Sequence, residues 1–152
     1  MAVEQRLREL GIELPPVSPP AASYVSAVRT GNLVYLSGAG PTSPGAPIPT
    51  GKVGADVTTE EAAAHARQVG VNLLAVLRAE LGDLDRARRV VKLLGFINAP
   101  EGFTDSPRVL NGASDLLIEL YGETGKHARS AIGIAALPGN APVEVEMIVA
   151  VK

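Results

Sequence analysis

The sequence predicts an α+β domain built on one sheet, in the order ββαβαββ, with two helices on a single face. Three observations lead there. Runs rich in β-branched and apolar residues near 24–38, 88–98, 128–136 and 142–151 alternate with two segments whose apolar residues recur at helical spacing. Each helix then joins strands that should lie parallel, and right-handed crossovers put both helices on the same side of the sheet. No internal repeat or linker divides the chain.

"YVSAVRTGNLVYLSG" (24–38) holds two strands broken at Gly31-Asn32, a dipeptide that tolerates the positive φ of a tight hairpin. Residues 39–54 carry too many Pro and Gly for a regular element and form a long loop. A helix begins at a capping box, Thr58 with Glu61, shows apolar residues at 62, 66, 69, 73, 76 and 77, and stops near Gly82. "RRVVKLLGFIN" (88–98) reads as a buried strand. The second helix has Ser106 as N-cap, Pro107 at the first helical position and Gly122 at its end. Two last strands flank "LPGNAP", and a simple hairpin between them would set Leu137 opposite Pro142.

Composition limits the function classes. With 152 residues the chain can bury roughly two-thirds of its unfolded surface without a staple. The balance of 14 Lys+Arg against 16 Asp+Glu draws it to neither nucleic acid nor an anionic membrane. The absence of cysteine removes disulfides, thiolate metal sites and a Cys nucleophile, and fits a cytoplasmic location. "MAVEQRLREL" lacks the apolar core of a secretory signal, and no stretch approaches a membrane span, so a soluble chain is expected.

The C-terminal strands raise the functional question, because Arg129, Glu144 and Glu146 interrupt runs otherwise suited to burial. Assigning the bulkier alternating set to the helix side, Ser130, Ile132 and Ile134 in one strand and Val143, Val145, Met147 and Val149 in the other, leaves Arg129 and Glu144 together on the uncovered face. In the hairpin register they would stand about six residues apart, roughly 20 Å, and could share a small ligand only across a boundary between subunits. From the residues alone these charges read as solvated or locally paired, and no activity follows.

Other motifs carry little. "GAPIPTGKV" departs from a phosphate loop in its Gly45–Gly51 spacing, in Val53, and in prolines that remove amide donors. His65 and His127 have no acidic or thiol companion at ligand spacing, so no metal site is expected. "DRARRVVK" is a short basic run without aromatic platforms, read as a solvated strand edge.

The stretches "YVSAVRTGNLVYLSG", "GKVGADVTTEEAAAHARQVGVNLLAVLRAELGDLDRARRVVKLLGFIN" and "ARSAIGIAALPGNAPVEVEMI" together resemble the Rid family, the reactive intermediate deaminases formerly called YjgF or L-PSP endoribonucleases. The likeness runs from about residue 18, leaving 1–17 as an N-terminal extension and 18–152 as one Rid-like domain. It implies a chorismate-mutase-like fold and a homotrimer with a central barrel and ligand pockets between subunits. It also implies hydrolysis of 2-imino acids to 2-oxo acids and ammonia, with no cofactor. In that family's pattern Arg129 would bind the substrate carboxylate and Glu144 would position the attacking water. Tyr24, Ser37, Gly38 and Asn111 match pocket positions. Ala131 replaces a cysteine of characterised deaminases and Ala39 a glutamine, which implies a roomier pocket. The alternatives are a non-catalytic binder of small carboxylates and, behind it, an endoribonuclease.

Overall fold

Val3 and Leu7 stand one helical turn apart and are buried at 6% and 3% exposure, on a short helix α1 (Val3–Glu9) that the sequence pattern did not predict. Seven residues are too few to show a period, and such a helix owes its stability to docking. The backbone N–H of Val3 donates to the Asp85 carboxylate, and Leu84 N donates to Glu4 Oε1 at 3.2 Å, which ties α1 to the turn before the third strand. The segment set apart as an extension thus contributes side chains to the common core.

In the computed structural model, which describes residues 2–152, the remaining elements follow the predicted order. Strands β1 (Ala27–Thr30) and β2 (Leu33–Ala39) are joined at Gly31, whose φ of 57° lies in the left-handed region that favours glycine. Helix α2 (Thr59–Leu81) starts at the expected capping box: Thr58 Oγ1 accepts from Glu61 N at 3.1 Å, and Thr58 N donates to Glu61 Oε2 at 3.0 Å. Strand β3 (Ala87–Asn98) leads to α3 (Ser106–Tyr121), whose N-cap is Asp105 rather than Ser106; Ser106 is instead the first helical residue and is buried. Strands β4 (Ala128–Ile134) and β5 (Val143–Val151) complete the sheet.

The sheet order is β1-β2-β5-β3-β4, which overturns the hairpin expected between β4 and β5. Strand β5 runs antiparallel to both β2 and β3, so those two are parallel with β5 between them, and β4 is parallel to β3 at the edge. The side chains fit this order. Val143, Val145, Met147, Val149 and Val151 are all at most 1% exposed, as befits the helix-facing side of a strand that has a neighbour on each edge. Asn98 holds the crossover: fully buried, it donates Nδ2 to Asn140 Oδ1 at 3.0 Å and to the Ala141 carbonyl at 3.1 Å, while Lys52 Nζ donates to its Oδ1 at 2.8 Å.

Helices α2 and α3 pack on one face, as expected. Leu73, Leu74, Leu77, Leu110, Leu116 and Leu117 are at most 1% exposed, each burial being worth about 2 kcal/mol. The helices approach so closely that a Cβ on Gly112 would lie 1.9 Å from the Ala63 carbonyl oxygen. The other face is uncovered, but it is not the surface of small residues expected: Val28, Tyr35 and Ile132 are exposed there, beside Leu94, Phe96, Lys92, Glu144 and Glu146.

In β4 the face assignment reverses. Arg129, Ala131 and Gly133 pair with Leu93, Gly95 and Ile97, whose side of the sheet faces the helices, and Ile132 points to the open side. A Cβ on Gly95 would meet Leu110 of α3 at 2.7 Å, so the helix lies too close for a bulky row beneath it. Small residues therefore turn inward and the isoleucine turns outward.

Candidate functional site

Glu144 lies on the open face near the start of the central strand, opposite Phe96. Its carboxylate is only part-buried, yet burial, and secondarily the charge of Glu146, pushes its pKa above the usual 4.5. The bulge in β2 explains what lies against it. Leu36 pairs with Met147 and Ala39 with Val145, so β2 spends three steps where β5 spends two, and the extra residue brings Gly38 against Glu144. A Cβ on Gly38 would stand 2.8 Å from Oε2. Ser37 holds this bulge to the preceding segment: its hydroxyl donates to the Val25 carbonyl at 2.6 Å and its N–H to Ser26 O at 2.9 Å.

Tyr24, Ser37 and Gly38 line one cavity of about 500 Å³, walled by the proline-rich segment 15–21, the loop at 40–44 and α2. Tyr24 is 49% exposed at its mouth. Asn72 of α2 keeps the loop in place, donating to the carbonyls of Gly40 and Thr42 at 2.9 Å each. Gly38 is thus shared between this cavity and the Glu144 carboxylate.

Arg129 belongs to a second cluster, on the helix side. Its Nη1 donates to Ser114 Oγ at 3.0 Å and its Nη2 to the Pro107 carbonyl at 3.3 Å, so α3 grips the guanidinium at two points. Among the described residues no carboxylate lies within ion-pair distance of it. Pro107, Asn111 and Ser114 follow helical spacing, which puts the exposed Asn111 on the same stripe of α3. Ala131 lies two residues along β4 on the same face as Arg129 and packs against the core.

The two clusters do not meet within one chain. Arg129 pairs with Leu93 and Glu144 with Phe96, on opposite faces of the sheet. Three residues along and two strand spacings across make their Cα atoms roughly 14 Å apart, replacing the longer separation and common face inferred from a hairpin.

Sequence reasoning missed Ser114 and His127. Ser114 is 6% exposed, and its Oγ lies 2.9 Å from His127 Nε2, while His127 Nδ1 lies 2.6 Å from the Gly125 carbonyl. Burial lowers the His127 pKa, the Gly125 hydrogen bond opposes that, and Arg129 adds to it. A serine on α3 and a histidine thirteen residues on, in the connection before β4, leave no local signal. Among the described residues no cluster of three or more His, Cys, Asp or Glu could hold a metal, and no helix is long and apolar enough to cross a membrane.

A mixed five-stranded sheet with two long helices on one face and an open second face defines a chorismate-mutase-like α+β domain. Residues 4–150 match the family model described as "YjgF/chorismate_mutase-like, putative endoribonuclease", and the chain belongs to that family. It is 44% identical over 148 residues to protein TCP17 of Trypanosoma cruzi, covering 97% of this chain and 92% of that one. It is 33% identical over 143 residues to a 2-iminobutanoate/2-iminopropanoate deaminase of Dermatophagoides farinae, covering 90% and 93%. Among solved structures, Agrobacterium tumefaciens Atu1372, of unknown function, superposes with a TM-score of 0.90 at 44% identity, covering 99% of this chain and 94% of that one. The YjgF product of E. coli superposes at 0.62 with 27% identity, covering 88% and 92%.

Proposed function

We propose that this chain hydrolyses 2-imino acids to 2-oxo acids and ammonia, in a pocket that a second copy completes, within a homotrimer whose open sheet faces turn inward. The observation that carries the reading is the Arg129 guanidinium: α3 uses one donor from each Nη, no acid neutralises it among the described residues, and the remaining N–H groups suit a planar carboxylate. Glu144 supplies the complementary chemistry. As a carboxylate it accepts a proton from water while the oxygen adds to the C=N carbon. That proton passes to the nitrogen to give the carbinolamine. The carboxylate then carries the carbinolamine's hydroxyl proton to the amine nitrogen as C=O forms, the C–N bond breaks and ammonia leaves. Because Arg129 and Glu144 face opposite sides of one sheet, a shared substrate requires Arg129 of one copy and Glu144 of another. The relationship to an imine deaminase supports the reaction class.

One observation favours a second reading, a carboxylate binder without turnover: the Arg129 cluster is complete in a single chain and Glu144 is not part of it. Release of ammonia and 2-oxo acid from an imine generated in situ distinguishes the two. Arg129→Ala should keep the fold and assembly while hydrolysis falls by on the order of a hundredfold, with little rescue by lysine. A folded, trimeric Arg129→Ala protein of undiminished activity would overturn the reading, and light scattering that shows a monomer would remove the shared pocket.

A further inference from the structure

The geometry points to Ser114 and His127 as positioning residues that fix the orientation of the Arg129 guanidinium for a carboxylate, through a one-way chain of hydrogen bonds; the inference rests on the carboxylate-binding role proposed for Arg129. Its direction follows from donor inventory. The Gly125 carbonyl can only accept, so His127 Nδ1, 2.6 Å away, carries a proton. In the neutral imidazole Nε2 is then an acceptor and takes the Ser114 hydroxyl proton across 2.9 Å. The lone pairs of Ser114 Oγ are left free to receive Arg129 Nη1 at 3.0 Å. The chain runs Arg129 N–H to Ser114 O–H to His127 Nε2, and His127 Nδ1–H to Gly125 O=C. Each bond polarises the next in the same sense, which makes Ser114 Oγ a better acceptor than an isolated hydroxyl.

Two features show that the relay is anchored. A serine inside a helix ordinarily bonds back to its own helix, whereas this buried hydroxyl is committed to His127 and Arg129. The far end is equally confined: a Cβ on Gly125 would lie 2.3 Å from the Leu117 carbonyl oxygen, so the anchoring residue is pressed against α3 itself. The guanidinium is held on its other Nη by Pro107 O at 3.3 Å. With both Nη atoms held, its plane is set before a ligand arrives, which spares the ordering cost of binding.

The test is calorimetric titration of the whole protein with 2-oxobutanoate. Arg129→Ala should abolish binding. Ser114→Ala and His127→Asn, which keeps a donor near Nδ1 and deletes the Nε2 acceptor, should each weaken binding by on the order of tenfold with unchanged melting temperature. Ser114→Thr and His127→Gln, which restore the hydroxyl and the acceptor, should recover most of it. The Ser114→Ala/His127→Asn double variant should be no worse than either single one, because both break the same chain. If Arg129→Ala loses binding while folded Ser114→Ala and His127→Asn bind like the parent, the relay is wrong and the carboxylate site stands. If Arg129→Ala still binds, the carboxylate reading itself fails and takes the relay with it. Should Ser114→Ala not fold, the contrast between His127→Asn and His127→Gln decides, and equal affinities of that pair overturn the relay.

Discussion

Gly38 lies directly against the Glu144 carboxylate, with a Cβ at that position placed 2.8 Å from Oε2 and 2.9 Å from Cδ. The backbone at Gly38 does not need a positive φ, so the glycine serves close approach rather than conformation. The atoms a methyl would strike are the mobile end of a side chain. Gly38→Ala is therefore expected to displace the carboxylate and leave the fold intact. Its melting temperature should change little while imine hydrolysis falls by on the order of tenfold or more, since small misplacements of a reacting group are costly. Unchanged turnover in the folded variant would detach Glu144 from the chemistry.

The pH profile should report Glu144. Water activation needs its carboxylate form, and its pKa lies above 4.5, chiefly through burial and then through Glu146. Hydrolysis measured as kcat/KM should fall on acidification with an apparent pKa above that value. Glu146→Gln should move this limb toward lower pH without erasing the shift, because burial is the larger cause.

Stability should respond to His127 in the opposite region. Its pKa is lowered from 6.5 in the folded protein, so on acidification the unfolded chain takes up the proton first. The contribution is complete above pH 6.5 and is lost as pH falls through the folded value. Thermal melts between neutral pH and pH 5 should show a decline that His127→Gln flattens. A parent protein with no slope in that window would contradict the part-buried, neutral imidazole.

Gly112→Ala sets two effects against each other. Replacing a mid-helix glycine ordinarily stabilises by about 0.5–1 kcal/mol. Here the added Cβ would lie 1.9 Å from the Ala63 carbonyl oxygen, backbone against backbone, and overpacking of that kind costs about 1–3 kcal/mol or more. The clash should win, and the melting temperature should drop by several degrees; a rise would mean that α2 and α3 can separate freely.

What the sequence determined by itself was local. The Thr58–Glu61 cap, the stop at Gly82, the Gly31 turn and the two helical stripes each depend on residues within a few positions of one another, so the chain carries their signals intact. The C-terminal run likewise drew attention to Arg129 and Glu144, to which the family resemblance gives a carboxylate and a water to hold. Tertiary structure decided where those residues face. Alternation along a strand says which side chains share a face and not which face it is, and that choice in β4 went to α3, whose closeness turned Arg129, Ala131 and Gly133 inward. Strand order was equally invisible, because β5 enters between β2 and β3 by pairing with residues more than forty positions away. The Ser114–His127–Arg129 chain exists only once α3 lies on β4, since its bonds join side chains that nothing in the local sequence brings together.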